Sequence, residues 1–354
     1  KDGIWEYFDK NGVLEKKIHY EDGQQGLYEF FGNGRLERKG HFKNDKKDGI
    51  WEYFDKNGVL EKKIYWEDGK QGLYEGFDKQ GRLIKTGNYN LLGNKHGIWE
   101  TFHENGQTEW EEHYTNGKRN GLWKKFHENS ELETRGKYNN GKQEGNWEYF
   151  DEDGNLETKE DYYDNGQLET RKNYKDGKEL GSTTFSYHGN GQIFKRENYK
   201  DGKYDGLIEG YYENGQLRTR RNYKNGKLDG PYEVFHHNGQ LEQRGNYKNG
   251  KRNGLSEWFR ENGQLSLKQN YKNGKTHGLT ESYSHENGQL MWSGNVKDGE
   301  RDGLWEKFDV DGNLIKTEMY KNGLLEGLIE GFYENGQLQS RINYKNGKRE
   351  GLQE

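Results

Sequence analysis

The chain has 354 residues, of which 28% are hydrophobic and 33% charged; 56 Lys and Arg against 61 Asp and Glu give a formal net charge of −5. So little aliphatic surface excludes a conventional two-layer core, and the slightly acidic balance argues against nucleic acid or an anionic membrane surface as partner. There is no Cys, which removes disulfides, Cys-ligated zinc and thiol chemistry, and no apolar run approaches the roughly 18 residues of a membrane span.

From its first residues the chain is periodic. Gly3-Ile4-Trp5-Glu6 opens a unit that recurs at Gly26, Gly49, Gly72, Gly97, Gly121 and Gly145, then at Gly181, Gly206, Gly230, Gly254, Gly278, Gly303, Gly327 and Gly351. The spacing is 23 to 25 residues except between Gly145 and Gly181, where it is 36. With each anchor Gly at position 0, position +3 is Glu in thirteen of fifteen units and +5 is Phe or Tyr in thirteen of fourteen, so the period is structural. The chain ends on Gly351-Leu352-Gln353-Glu354, the opening of another unit, and is expected to be a window of a longer array.

Each unit carries two turn signals: Asn-Gly or Asp-Gly near +8/+9, as in Asn57-Gly58 and Asn262-Gly263, and a second about eleven residues later, as in Asn116-Gly117 and Asn273-Gly274. The segments between are too short for stable helices and predict strands of about seven to nine residues. Leu two residues after the first turn's Gly (Leu14, Leu60, Leu241) is followed six residues on by an aromatic (Tyr20, Trp66, Tyr247), an even separation that places both on one face. A three-residue first loop with Gly in the left-handed position sets Phe235 opposite Leu241, and an even period keeps every apolar position on the same side. The fold class is therefore all-β: an elongated antiparallel meander of about 14 two-stranded hairpin repeats in a twisted or coiled single sheet, on the order of 140 Å long. Parity predicts that the face carrying +1, +3, +5, Leu and Tyr is the concave inside.

Gly206-Leu207-Ile208-Glu209-Gly210-Tyr211-Tyr212-Glu213-Asn214-Gly215-Gln216-Leu217, with Asn222-Tyr223-Lys224-Asn225-Gly226-Lys227 after it, resembles the MORN-repeat variant, common in bacterial proteins, many of them labelled antitoxin-like. The resemblance covers the whole chain and implies stacked hairpins with structural or interaction roles; it carries no catalytic residues. More weakly, Tyr53-Phe54-Asp55-Lys56-Asn57-Gly58-Val59-Leu60 resembles the YD repeats of shell-forming bacterial toxins, although only Gly34-Arg35 and Gly81-Arg82 approach their Gly-Arg element.

Candidate chemistry reduces to a few features. Asp151-Glu152-Asp153-Gly154-Asn155 and Asp309-Val310-Asp311-Gly312-Asn313 resemble the start of a calcium loop but occupy the ordinary turn slot. The eleven His are scattered beside turns, and no metal or cofactor site is expected. The Glu column at +3 repeats too regularly for a catalytic group and reads as a structural ladder to strand Lys and Arg or Tyr hydroxyls. Position +2 is aromatic in the first seven units, Trp5, Tyr28, Trp51, Tyr74, Trp99, Trp123 and Trp147. Parity places these rings on the outer face as a partner-binding strip, with Trp5 opposite Lys17, Trp51 opposite Lys63, Trp123 opposite Arg135 and Trp147 opposite Lys159.

The 36-residue interval lacks half a unit, so the two turn classes should exchange edges at Asn165-Gly166. Residues 1–154 are thus expected to form an N-terminal array, 155–180 an irregular seam and 181–354 a C-terminal array. The expected function is a non-enzymatic scaffold or fibre segment binding protein partners or further copies of itself, plausibly at a bacterial surface. The alternatives are an antitoxin or immunity protein, or a YD-like encapsulating shell.

Overall fold

The computed structural model describes residues 2–351. All regular structure among these residues is β: 33 strands, paired antiparallel with their chain neighbours as a hairpin meander. The chain divides into two compact units, Lys1–Leu180 and Gly181–Glu354, each with this architecture.

The first unit's opening hairpin shows how residues dictate the local form. Gly3–Phe8 and Leu14–Glu21 are joined by a wide loop in which Gly12 N–H donates to Asp9 O at 3.0 Å and Asp9 N–H to Val13 O at 2.8 Å. Gly12 sits at φ +79°, so the loop is the expected three-residue turn ending in a left-handed glycine. The Asp9 carboxylate caps it, accepting from the backbone of Asn11 and Val13 at 2.8 Å each. The second turn is tighter. Glu21 pairs directly with Gln24 across Asp22 (φ 48°) and Gly23 (φ 76°), the two-residue type in which both central residues are left-handed.

Phe8 pairs with Leu14, as Phe235 does with Leu241, but one residue later the register slips: Tyr7 faces Lys16, leaving Glu15 as a bulge. A second irregularity falls beside the anchor glycine, between Ile18–Tyr28 and Tyr20–Gln25. Both recur along each unit. Beyond the first bulge, Trp5 therefore faces Ile18 and Glu6 faces Lys17. The expected Trp–Lys pairs do not form: Trp51 faces Ile64, Trp123 faces Gly136 and Trp147 faces Glu160. One bulged residue inverts the assignment of everything beyond it.

The inside of the sheet is consequently the +2 face. Trp51 is 1% exposed, Trp99 and Trp147 2%, while Ile50 beside Trp51 is 54% exposed. In the second unit Ile208, Tyr232, Ser256, Thr280, Trp305 and Ile329 fill the same buried column. The Tyr and Phe rings before the tight turns join this face, as with Phe42 against Trp51 (ring centroids 5.1 Å) and Tyr138 against Trp147 (5.1 Å).

Small residues make the column possible. Gly40, Gly87, Gly136 and Gly294 lie under Trp51, Trp99, Trp147 and Trp305, and a Cβ at Gly136 would stand 2.1 Å from the Trp147 ring. A backbone without side chain lets each indole lie against the neighbouring strand, and the ring in turn covers the bare backbone.

At the seam, Leu156–Tyr162 pairs with Leu168–Lys175, and the loop between them is of the wide kind: Tyr163 N–H donates to Gln167 O and Gly166 N–H to Tyr163 O. Within the first unit, apart from Asn90–Asn94, which is wide on the tight-turn edge, the wide loops occupy one edge as far as Asp151–Asn155, and Tyr163–Gln167 lies on the opposite edge, the exchange the missing half unit requires.

Candidate interaction surface

The burial pattern corrects the expected binding strip. Trp51, Trp99, Trp123 and Trp147 are buried in the inner column, and Tyr28 and Tyr74 are half-buried against Trp51 and Trp99. Trp5 alone is substantially open, at 42%. Two of the indoles spend their polar edges internally: Nε1 of Trp51 donates to His41 O and that of Trp99 to Asn88 O, both at 3.0 Å. Their cationic neighbours come from the strands that carry them, with Lys47 Nζ 4.3 Å from Trp51 just after a tight turn and Lys95 Nζ 4.4 Å from Trp99 just after the wide loop Asn90–Asn94. Burial lowers the pKa of both lysines.

Carboxylates enter the same face as well, Glu112, Glu160 and Glu318 among them, opposite Trp99, Trp147 and Trp305. Glu160 accepts from Tyr149 OH (2.8 Å), Tyr162 OH (2.7 Å) and Arg171 (2.7 Å). Burial opposes its ionisation, but the two hydroxyls and the guanidinium prevail and hold the carboxyl below its ordinary value. Glu112, held by Tyr114, Arg119 and the Trp123 indole, is lowered in the same way against burial. Every donor is a neighbouring side chain, so these are closed structural clusters.

The outer face carries the regular polar feature. The Glu column at +3 pairs across strands with a Lys or Arg column three residues after Leu. In the first unit the rungs run Glu6, Lys17, Glu29, Lys39, Glu52, Lys63 and Glu75. In the second unit Arg196, Glu209, Arg220, Glu233, Arg244, Glu257, Lys268 and Glu281 follow one another. Ion pairs close many steps, including Glu6–Lys17 at 2.9 Å, Lys39–Glu52 at 3.1 Å and Arg220–Glu233 at 3.2 Å. One rung is inverted: where +3 is Lys124, the opposing place holds Glu111, 3.2 Å away. The Glu column was visible in the sequence. Strand Lys and Arg were legible as its partners, but parity sets Lys17, Lys63, Arg135 and Lys159 opposite the +2 rings instead, and the compensated exchange at 111 and 124 is the signal that pairs this column with the +3 column.

Beside the ladder runs the +1 column, with Ile50, Ile98 and Leu122 open in the first unit and Leu255, Leu279, Leu304 and Leu328 in the second. Scattered exposed aliphatics are ordinary, but a column in register with the repeat is a continuous surface.

The hairpin edges are committed to holding neighbouring repeats together. Nε2 of His103, His127, His188 and His236 lies 2.9–3.1 Å from the carbonyl of the aromatic one repeat on, Phe126, Phe150, Tyr211 and Phe259. Asn105 and Asn129 reach the carbonyls of Glu128 and Glu152 at 2.8 Å. The calcium-like tips cap their own loops, Asp151 Oδ1 accepting from the backbone of Asp153 and Asn155, and Asp309 Oδ1 from Asp311 and Asn313.

The MORN repeat variant family matches residues 1–22, 47–68, 95–116, 119–140, 143–162, 158–176, 204–225, 228–249, 252–273, 301–322 and 325–346, well over half of the chain. The chain belongs to that family. Two of the MORN segments, 143–162 and 158–176, overlap at the seam, where a half unit is missing. No curated protein matches the MORN chain in sequence. Among solved structures, a mutant TarM from S. aureus in complex with Fondaparinux, alpha-GlcNAc-glycerol and UDP is 18% identical over 27% of this chain and 19% of that one, with a TM-score of 0.22. TcdB2-TccC3-Cdc42 is 10% identical over 98% of this chain and 26% of that one (TM-score 0.16), and the Photorhabdus luminescens Tc holotoxin pore 11% over 97% and 26% (0.16). The chain spans about a quarter or less of the length of these structures, and TM-scores this low carry no argument about shape or role.

Proposed function

We propose that this MORN array is a non-enzymatic scaffold that binds protein partners on its outer face. The observation that carries the reading is the exposed +1 aliphatic column standing in register beside a charge ladder that fixes its strands. A repeat array offers such a surface at a fixed pitch, which suits multivalent or extended protein contacts. A catalytic reading has less support, because Glu112 and Glu160, the buried carboxylates whose pKa is lowered, are each held by several neighbouring side-chain donors.

The test is site-specific photocrosslinking in cells of the source organism. A photoreactive amino acid at Leu304, exposed on the outer face, is expected to capture discrete protein adducts; the same group at Lys307, exposed on the opposite face, is not. Equal capture from both positions, or none from Leu304, overturns the proposal.

A further inference from the structure

The ladder loses its cations at one place in the second unit, and there the aliphatic column is open. The register runs Glu281, Ser293, Glu306, Thr317, Glu330. Earlier in the same unit the places of Ser293 and Thr317 hold Arg220, Arg244 and Lys268. Glu281 keeps only Lys268, at 3.8 Å, and Glu330 only Arg341, at 2.8 Å; Glu306 has no ion-pair partner among the described residues. Beside these three glutamates Leu279, Leu304, Met319 and Leu328 are 39–49% exposed.

We propose that this strip docks an extended basic protein segment carrying Lys or Arg at every third residue. The inference rests on the reading of the outer face as a protein-binding surface and names its partner's chemistry. An apolar occupant would strip water from three incompletely neutralised carboxylates, which is costly unless it brings cations to them. Spacing and twist then choose its backbone. One repeat advances two strands, about 9.6 Å. Cations seven apart on an α-helix are about 10.5 Å apart, and cations three apart on a polyproline-II segment about 9.3 Å, so spacing admits either. Adjacent strands are rotated by about 20–25°, turning the glutamate column some 40–50° per repeat. A straight helix leaves that column after one repeat; an extended segment turns with it. The residues between the cations then lie over the leucines. In the first unit Glu75, Thr86 and Glu100 repeat the arrangement beside exposed Leu73 and Ile98, so a second, shorter site is present there.

The experiment is fluorescence anisotropy of the full chain with a labelled twelve-residue probe, Lys-Leu-Pro repeated four times, and with an isomer of the same composition whose lysines are consecutive. The spaced probe binds more tightly, and its affinity falls as salt rises. Restoring the cations with Thr86→Lys, Ser293→Lys and Thr317→Lys weakens its binding by at least about tenfold, the summed effect of several exposed charge pairs, without lowering the melting temperature. A control with the same added charge, Val13→Lys, Gln80→Lys and Val310→Lys at exposed loop positions, binds as the parent does. Equal binding of the two probes, undiminished binding by the restored ladder, equal loss in the control, or no binding overturns the inference. If Leu304 crosslinks a protein while the spaced probe fails, only this inference falls; if Leu304 captures nothing, the reading of the surface falls with it.

Discussion

The packing of tryptophan on glycine gives the sharpest test of how the inner column is built. Gly136→Ala places a Cβ 2.1 Å from Trp147 Cδ2 and 2.3 Å from Cε2, where carbon contacts ordinarily stand at about 3.5–4.0 Å. The indole must retreat by about 1.5 Å, and at 2% exposure it has nowhere to go without leaving Tyr138 and Trp123, 5.1 and 5.2 Å away. Removing a buried Trp outright costs about 3–5 kcal/mol, so displacing one should cost about 2–4 kcal/mol. Gly136 does not have a left-handed φ, so a methyl group strains nothing else. In a Trp147→Ala background the same Gly136→Ala change is therefore neutral or slightly stabilising, because Ala suits a strand better than Gly. Urea unfolding followed by fluorescence and by far-UV circular dichroism measures all four corners of the cycle. A coupling of about 2–4 kcal/mol is expected. Equal cost of Gly136→Ala in both backgrounds would refute the packing argument.

Three further predictions concern the polar layers. Exchanging the inverted rung, Glu111→Lys with Lys124→Glu, converts the register Glu100, Glu111, Lys124, Arg135 from two like-charged steps and one opposite step into three opposite steps. The double variant should be more stable by about 1 kcal/mol in low-salt urea melts, and a destabilised double variant would contradict the ladder. Because the pKa of Glu160 is depressed in the folded chain, its contribution is present above the ordinary carboxylate range and is lost as pH falls through the folded value. The denaturation midpoint of the wild type should accordingly drop between pH 7 and pH 3 more steeply than that of Glu160→Gln; parallel pH profiles would remove Glu160 from the acid response. His127→Ala deletes the inter-repeat bond to Phe150 O (3.1 Å) and should cost about 1 kcal/mol, with faster amide exchange at Asp151–Asn155; unchanged exchange would show that this bond does not pin the loop.

Much of the fold was legible because its signals are local. The glycine period, the Asn-Gly and Asp-Gly turns and the three-residue wide loop depend on backbone preferences of two or three adjacent residues, and Gly12 and Gly23 adopt the left-handed conformations those signals demand. The half-unit deletion was legible as a count, and the turn at Tyr163–Gln167 stands on the edge that count implies. The Glu column at +3 was likewise readable as a ladder. Trp51 and Ile50 were misassigned together, and so was Leu14, which the bulge at Glu15 puts on the face opposite Tyr20 despite their even separation.

The residues by themselves determined an antiparallel hairpin array of the MORN repeat variant, its period, the three-residue form of its wide loop and the place of its half-unit deletion. Only the tertiary structure decided which face is inside. The side-chain alternation of a strand has a period of two, so a single unpaired residue reverses every later assignment, and nothing in Leu14-Glu15-Lys16 distinguishes a bulged Glu15 from a paired one. That choice is made by packing across strands, where Trp147 needs the bare backbone of Gly136 beneath it. Burying the indoles turns Ile50, Leu304 and the glutamate ladder to the outside, and with them the surface offered to a partner.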